Sequence, residues 1–183
     1  MKLCNFVLAS YMALLLAPNV ASAHYYTFVE GNAVRRDVGP ERDLGVRLSG
    51  SMDVTYPVAL FGELTSTGDF DQLTVGGLFH TALNNVLDLN LGASLESVNN
   101  GRRDDLGLGL RGGVRWQAIP ARVELNPEIR RVDVFDNVNT NLRVTGLYFL
   151  DRRLNLLGAV QGGDEDRIEA GIRYNFGPQM TGR

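Results

Sequence analysis

Beyond Ala23 the chain has no cysteine and no lysine, and its only histidines are His24 and His80. Without cysteine a secreted chain has no disulfides, so its stability must come from backbone pairing and burial. No apolar run after residue 23 is long enough for a membrane helix, which excludes helical spans but not spanning strands, since a barrel strand needs only about 10 alternating residues. A basic surplus is also missing. Beyond Ala23 the 17 arginines face 21 acidic residues, a net charge near −4 against −3 for the full sequence, and this argues against a nucleic-acid partner. No calcium-loop spacing and no His/Cys cluster occurs, so we assign no metal and no cofactor. The glycines of Gly107 to Gly113 alternate with leucine and precede no helix, which excludes a phosphate loop and suits small inward residues that make room for arginines.

What is present begins with a leader. Lys2, the largely apolar run from Phe6 to Pro18 and the small residues Ala21-Ser22-Ala23 describe a secretory signal peptide over residues 1–23, cleaved during passage through the inner membrane. Cys4 precedes the apolar run and is not a lipidation site. The mature chain then starts at His24 with about 160 residues, enough for one domain.

That domain reads as all-β. Roughly ten alternating segments follow, at 25–36, 43–53, 57–66, 70–81, 86–98, 105–116, 121–134, 140–149, 154–163 and 166–176, each bounded by turn residues. A count of eight follows if one hairpin is misread. In the second segment Leu44, Val46, Leu48 and Met52 oppose Gly45, Arg47, Ser49 and Asp53, and the fifth and sixth segments repeat the pattern. Such alternation fits a sandwich with charges in water or a membrane barrel with leucines in lipid and charges in a lumen. Pro127 inside the seventh segment, together with the changed parity of Val132 and Val134, predicts a bulge near Pro127 or Arg130-Arg131. Tyr25, Tyr26, Phe28, Tyr56, Phe79, Trp116, Tyr148, Phe149, Tyr174 and Phe176 gather at the end that holds both termini, as one aromatic girdle, with Phe70 and Phe135 at the other rim.

The last segment is the most specific. In Glu169-x-Gly171-x-x-Tyr174-x-Phe176 a polar residue, a glycine and a final aromatic stand on a strand of alternating character. This resembles the terminal assembly signal of bacterial outer-membrane proteins, and the whole mature chain resembles small barrels of the outer membrane protein A and X type, within the porin-like superfamily of Gram-negative bacteria. The resemblance implies an antiparallel up-and-down transmembrane β-barrel over residues 24–176 and a short periplasmic tail over 177–183. It further implies a monomer in the outer membrane, whose partners are outer-membrane lipid, lipopolysaccharide and the barrel-assembly machinery. Arg35, Arg36 and Arg42 are candidates for lipopolysaccharide phosphates. Relatives in that class are anchors, adhesins, stress-related proteins, narrow channels and a few enzymes.

The polar faces assign a lumen charge network to Arg47, Glu63, Asp88, Glu96, Arg111, Arg115, Arg122, Glu124, Glu128, Arg130, Arg143, Glu169 and Arg173. Buried charges must pair, and the arginine fork suits carboxylates. The function this predicts is a structural or narrow porin-like barrel with a charged, mostly filled lumen. One alternative is an outer-membrane lipid-modifying enzyme or protease, although no nucleophile accompanies His80, which reads as a turn or rim residue. The other is a soluble periplasmic barrel that binds an apolar ligand. The acidic pairs Asp69/Asp71, Asp104/Asp105 and Asp164-Glu165-Asp166 read as solvated loop charge.

Overall fold

The structure, a computed structural model, describes residues 25–38 and 41–176. The leader and the tail expected at residues 1–23 and 177–183 lie outside the described residues. Ten strands follow one another: β1 (Phe28–Val38), β2 (Glu41–Thr55), β3 (Val58–Thr67), β4 (Phe70–Asn84), β5 (Leu87–Asn99), β6 (Asp104–Ile119), β7 (Val123–Val134), β8 (Asn137–Phe149), β9 (Leu154–Gly163) and β10 (Asp166–Asn175). Each pairs antiparallel with the next, and β1 closes on β10 from Phe28↔Asn175 to Asp37↔Asp166. Closure pairs the two edges that an open sheet would leave to water or lipid.

Side-chain alternation decides which face is which. Leu44, Val46 and Leu48 on β2, Leu106, Leu108 and Leu110 on β6, and Ile168 and Ile172 on β10 are exposed, while Arg47, Glu96, Arg143 and Glu169 are buried. An apolar exterior around a charged interior inverts a water-soluble barrel and has the pattern of one set in hydrocarbon. No helix among the described residues is long and apolar enough to cross a membrane.

Three expectations need correction. First, no bulge occurs at Pro127 or Arg130-Arg131: β7 stays in register with β8 through Pro127↔Val144, and on the β6 side the paired positions pass from Gly113↔Glu128 to Trp116↔Leu125. The interruption falls where the proline nitrogen has no hydrogen to donate, and the register shift comes later, between Trp116 and Ile119. Second, Val132 and Val134 do not change parity. They face inward with Phe70, Val98 and Phe135 in a small apolar cluster, so Phe70 and Phe135 form no outer girdle. Third, Tyr26, Phe28 and Phe149 also face inward. The exposed aromatics at the end that holds both described chain ends are Tyr56, Trp116, Tyr148 and Phe176; alternation places the half-buried Phe79 and Tyr174 on the same outward face, with Phe176 edge-on to Tyr174 at 4.8 Å.

Candidate functional site

The strands deliver twelve of the thirteen expected lumen residues to the interior. Arg122 is the exception: it lies exposed in the turn between β6 and β7, where its amide donates to the Ile119 carbonyl at 3.0 Å. The alternating face ends at the strand terminus, so the parity that would carry Arg122 inward stops at Val123. Reading by parity also missed Glu30 and Arg36 on β1 and Arg167 on β10, which join the network. Just before and at the start of β1, Tyr26 and Phe28 share the face of Glu30 and disguise it as the exterior.

At mid-height the barrel is held by a ring of ion pairs. Glu169 accepts from Arg143 through two guanidinium nitrogens, one at 2.8 Å, from Arg47 at 3.5 Å and from Asn32 at 3.3 Å. Glu30 accepts from Arg173 at 2.6 Å and Ser49 at 2.7 Å, and Arg47 stands 3.6 Å away. Glu63 faces three arginines: Arg47 at 2.9 Å, Arg111 at 2.8 Å and Arg130 at 2.9 Å. Arg130 has a second partner in Glu128. Because β3 stands three and four strands from β6 and β7 in a ten-strand cylinder, the Glu63 contacts run across the lumen rather than along its wall.

Toward the end that holds both described chain ends, His80 is not at a turn or rim surface but inside and buried. Its ring stacks on Tyr26 at 3.7 Å, and Nε2 lies 3.1 Å from Asp53 Oδ1. Arg115 pairs with Glu124 at 2.7 Å, donates to the Tyr25 carbonyl and covers the Tyr26 ring at 4.6 Å. These contacts draw the chain before β1 into the mouth. Asp88 is fully buried at the same end.

Toward the other end, Arg167 reaches across the lumen to Gln72 at 3.3 Å, and Gln72 donates to Glu96 at 2.9 Å. Glu96 also accepts from Thr74 and from Ser94 at 2.6 Å. Gly109 leaves the space that these side chains occupy, since a β-carbon there would push Ser94 Oγ and the Glu96 carboxylate aside. The room expected for an arginine beside these glycines is therefore taken at Gly109 by Glu96, whereas Gly92 makes room for the Arg111 stem. Phe70 lies between Arg36 at 3.9 Å and Arg167 at 5.7 Å. In the β9–β10 turn, burial opposes the Glu165 charge, but Arg167 and Arg36 hold its carboxyl below its ordinary range. Two of the loop acids tie neighbouring backbone: Asp105 accepts the Phe135 amide and Asp164 the Thr140 amide at 2.6 Å. Arg35 is spent on Asp37 at 2.7 Å, and Arg36 points inward to Glu165 at 2.7 Å, whereas Arg42 is exposed and stands opposite Asp37 in the β1–β2 ladder.

Among the described residues the lumen holds a cavity of about 100 Å³ toward the chain-end side and one of about 190 Å³ toward the other. Arg111 and Arg130 line both. The arrangement can hold and select small polar solutes, whereas His80, against Asp53 and Tyr26, has no hydroxyl or thiol nucleophile at its ring nitrogens.

No family model matches the chain, and no curated protein matches it. Among solved structures, the KdgM porin superposes with a TM-score of 0.55 at 16% identity, over 82% of this chain and 99% of that one. A KdgM complex with disordered oligogalacturonate superposes at 0.54, again with 16% identity and coverage of 82% and 99%. The NanC porin gives 0.54 at 9% identity, over 81% and 100%. The shared property is the fold, a closed antiparallel barrel.

Proposed function

We propose that this chain is a small bacterial outer-membrane barrel that acts as a narrow porin-like channel, its lumen mostly filled by arginine–carboxylate pairs. The observation that carries the reading is the pair of lumen cavities that abut at Arg111 and Arg130 inside a closed barrel with an apolar exterior. Small polar constrictions of this kind set selectivity by radius and by the charges at the wall. KdgM has been seen with an acidic oligosaccharide, but here side chains cross the lumen at three heights, so the solutes assigned are small ions and small polar molecules. In this reading the chain ends lie in the periplasm, and lipid and lipopolysaccharide surround the wall.

Planar-bilayer recordings of the wild type, Arg111→Ala and Glu128→Ala test it. A small wild-type conductance that rises in Arg111→Ala is the expected result. Negligible current in all three overturns the channel and leaves a closed structural barrel. The enzyme and apolar-ligand readings are weaker, because the interior places no nucleophile beside His80 and its walls are charged at mid-height.

A further inference from the structure

We infer that Arg111 and Arg130, with Arg47, form a carboxylate-binding site at the constriction, occupied at rest by the chain's own Glu63 as a tethered competitor of small carboxylate solutes. The inference deepens the channel reading and rests on it for physiological meaning, but the site itself is defined by binding. Arg111 and Arg130 are directly paired across β6 and β7, so two like charges stand side by side, an arrangement that costs stability unless an anion bridges them. Glu63 is that bridge: its Oε1 takes Arg111 at 2.8 Å and Arg130 at 3.2 Å, while Oε2 takes Arg130 at 2.9 Å. Arg47 adds a third guanidinium at 2.9 Å. A carboxylate in a forked arginine cluster is the geometry by which proteins bind carboxylates in general.

Burial separates this clasp from the pairs that merely hold the wall. The Glu169 and Arg143 side chains are 0% and 4% exposed, whereas in the clasp Glu63 is 10%, Arg111 9% and Arg130 16% exposed, with Arg47 behind them at 4%. Water thus reaches the clasp while it is excluded from the Glu169 pair. Only the clasp residues Arg111 and Arg130 bound both cavities, and Glu63 borders the cavity into which its side chain can withdraw. A solute anion arriving from either side meets the same two guanidiniums and exchanges for Glu63, which keeps its charge and stays tethered beside the chain-end cavity, so the lumen gains one negative charge while the anion is bound.

The test is formate titration of the full chain in lipid nanodiscs, followed by NMR of the arginine Nε–H groups in the wild type, Glu63→Gln and Glu63→Asp. A tethered group competes at an effective concentration in the millimolar range or above, so its removal should lower the formate midpoint at Arg111 and Arg130 by about tenfold or more. Glu63→Asp, which keeps the charge and shortens its reach, should fall between the two and carries the test if Glu63→Gln does not fold. Adding Arg130→Gln to either variant should abolish saturation. Equal midpoints in wild type and variants overturn the inference. A barrel that binds formate in this way but passes no current overturns only the channel reading.

Discussion

At the scale of single residues, the decisive feature is that buried charge is matched within the lumen. Glu169 pairs with Arg143 and Arg47 in a buried part of the interior. Removing one partner of a buried pair leaves the other charged without compensation, so Glu169→Ala should cost about 3–5 kcal/mol. Urea unfolding in lipid vesicles reads this directly, and a loss close to zero would mean that the pair is replaceable by water. Glu165 makes a pH prediction at the opposite mouth. Its carboxyl is held below its ordinary value near 4.5, so its contribution is complete above that value and is lost as the pH falls through the lower, folded-state value. Protection of the β9–β10 turn amides against hydrogen exchange, measured relative to the intrinsic rate at each pH, should therefore be high at pH 5 and fall only in more acidic buffer, and Glu165→Gln should remove that acid dependence. Constant protection in the wild type across this range would refute the assignment.

At the scale of elements, β10 carries the terminal motif and also closes the cylinder. Gly171 sits in the β1–β10 seam opposite Asn32, where a β-carbon would run into the Gly31 carbonyl oxygen and the Asn32 side chain. The glycine is thus demanded by closure itself, whatever else reads it. Gly171→Ala should lower the yield of folded barrel, seen as a smaller heat-shifted band in unboiled electrophoresis, while Ala170→Gly on the lipid-facing side should not. Phe176, whose amide donates to the Thr27 carbonyl at 2.9 Å, should impair insertion when changed to alanine if the assembly machinery reads it. Much of this level was legible in the sequence: Arg47, Glu96, Arg143 and Glu169 follow from alternation with the leucines. Glu30 did not, because β1 lines the lumen with aromatics, and a hydrophobicity rule cannot tell an inward tyrosine from an outward one. Val132 and Val134 misled in the same way. The partners of Glu63 were illegible for a different reason, since contacts across the lumen depend on how many strands close the cylinder and on their stagger.

At the scale of the whole molecule, two opposite demands are met by one wall. Lipid accepts only apolar side chains and a fully paired backbone, which the outward leucines and the closed ladder provide. Ten strands leave an interior that long side chains can largely fill, and the arginine–carboxylate pairs fill it at three heights. The central claim is that the leucine face meets lipid and the aromatic end lies at a bilayer interface. The chain has a single tryptophan, Trp116, outward and 46% exposed at that end. Its fluorescence in vesicles of lipids brominated at successive acyl positions measures both points at once. The account predicts strong quenching by bromines nearest the headgroups, declining toward the chain ends, with little quenching by aqueous iodide. Emission indifferent to brominated lipid and fully quenched by iodide would contradict it.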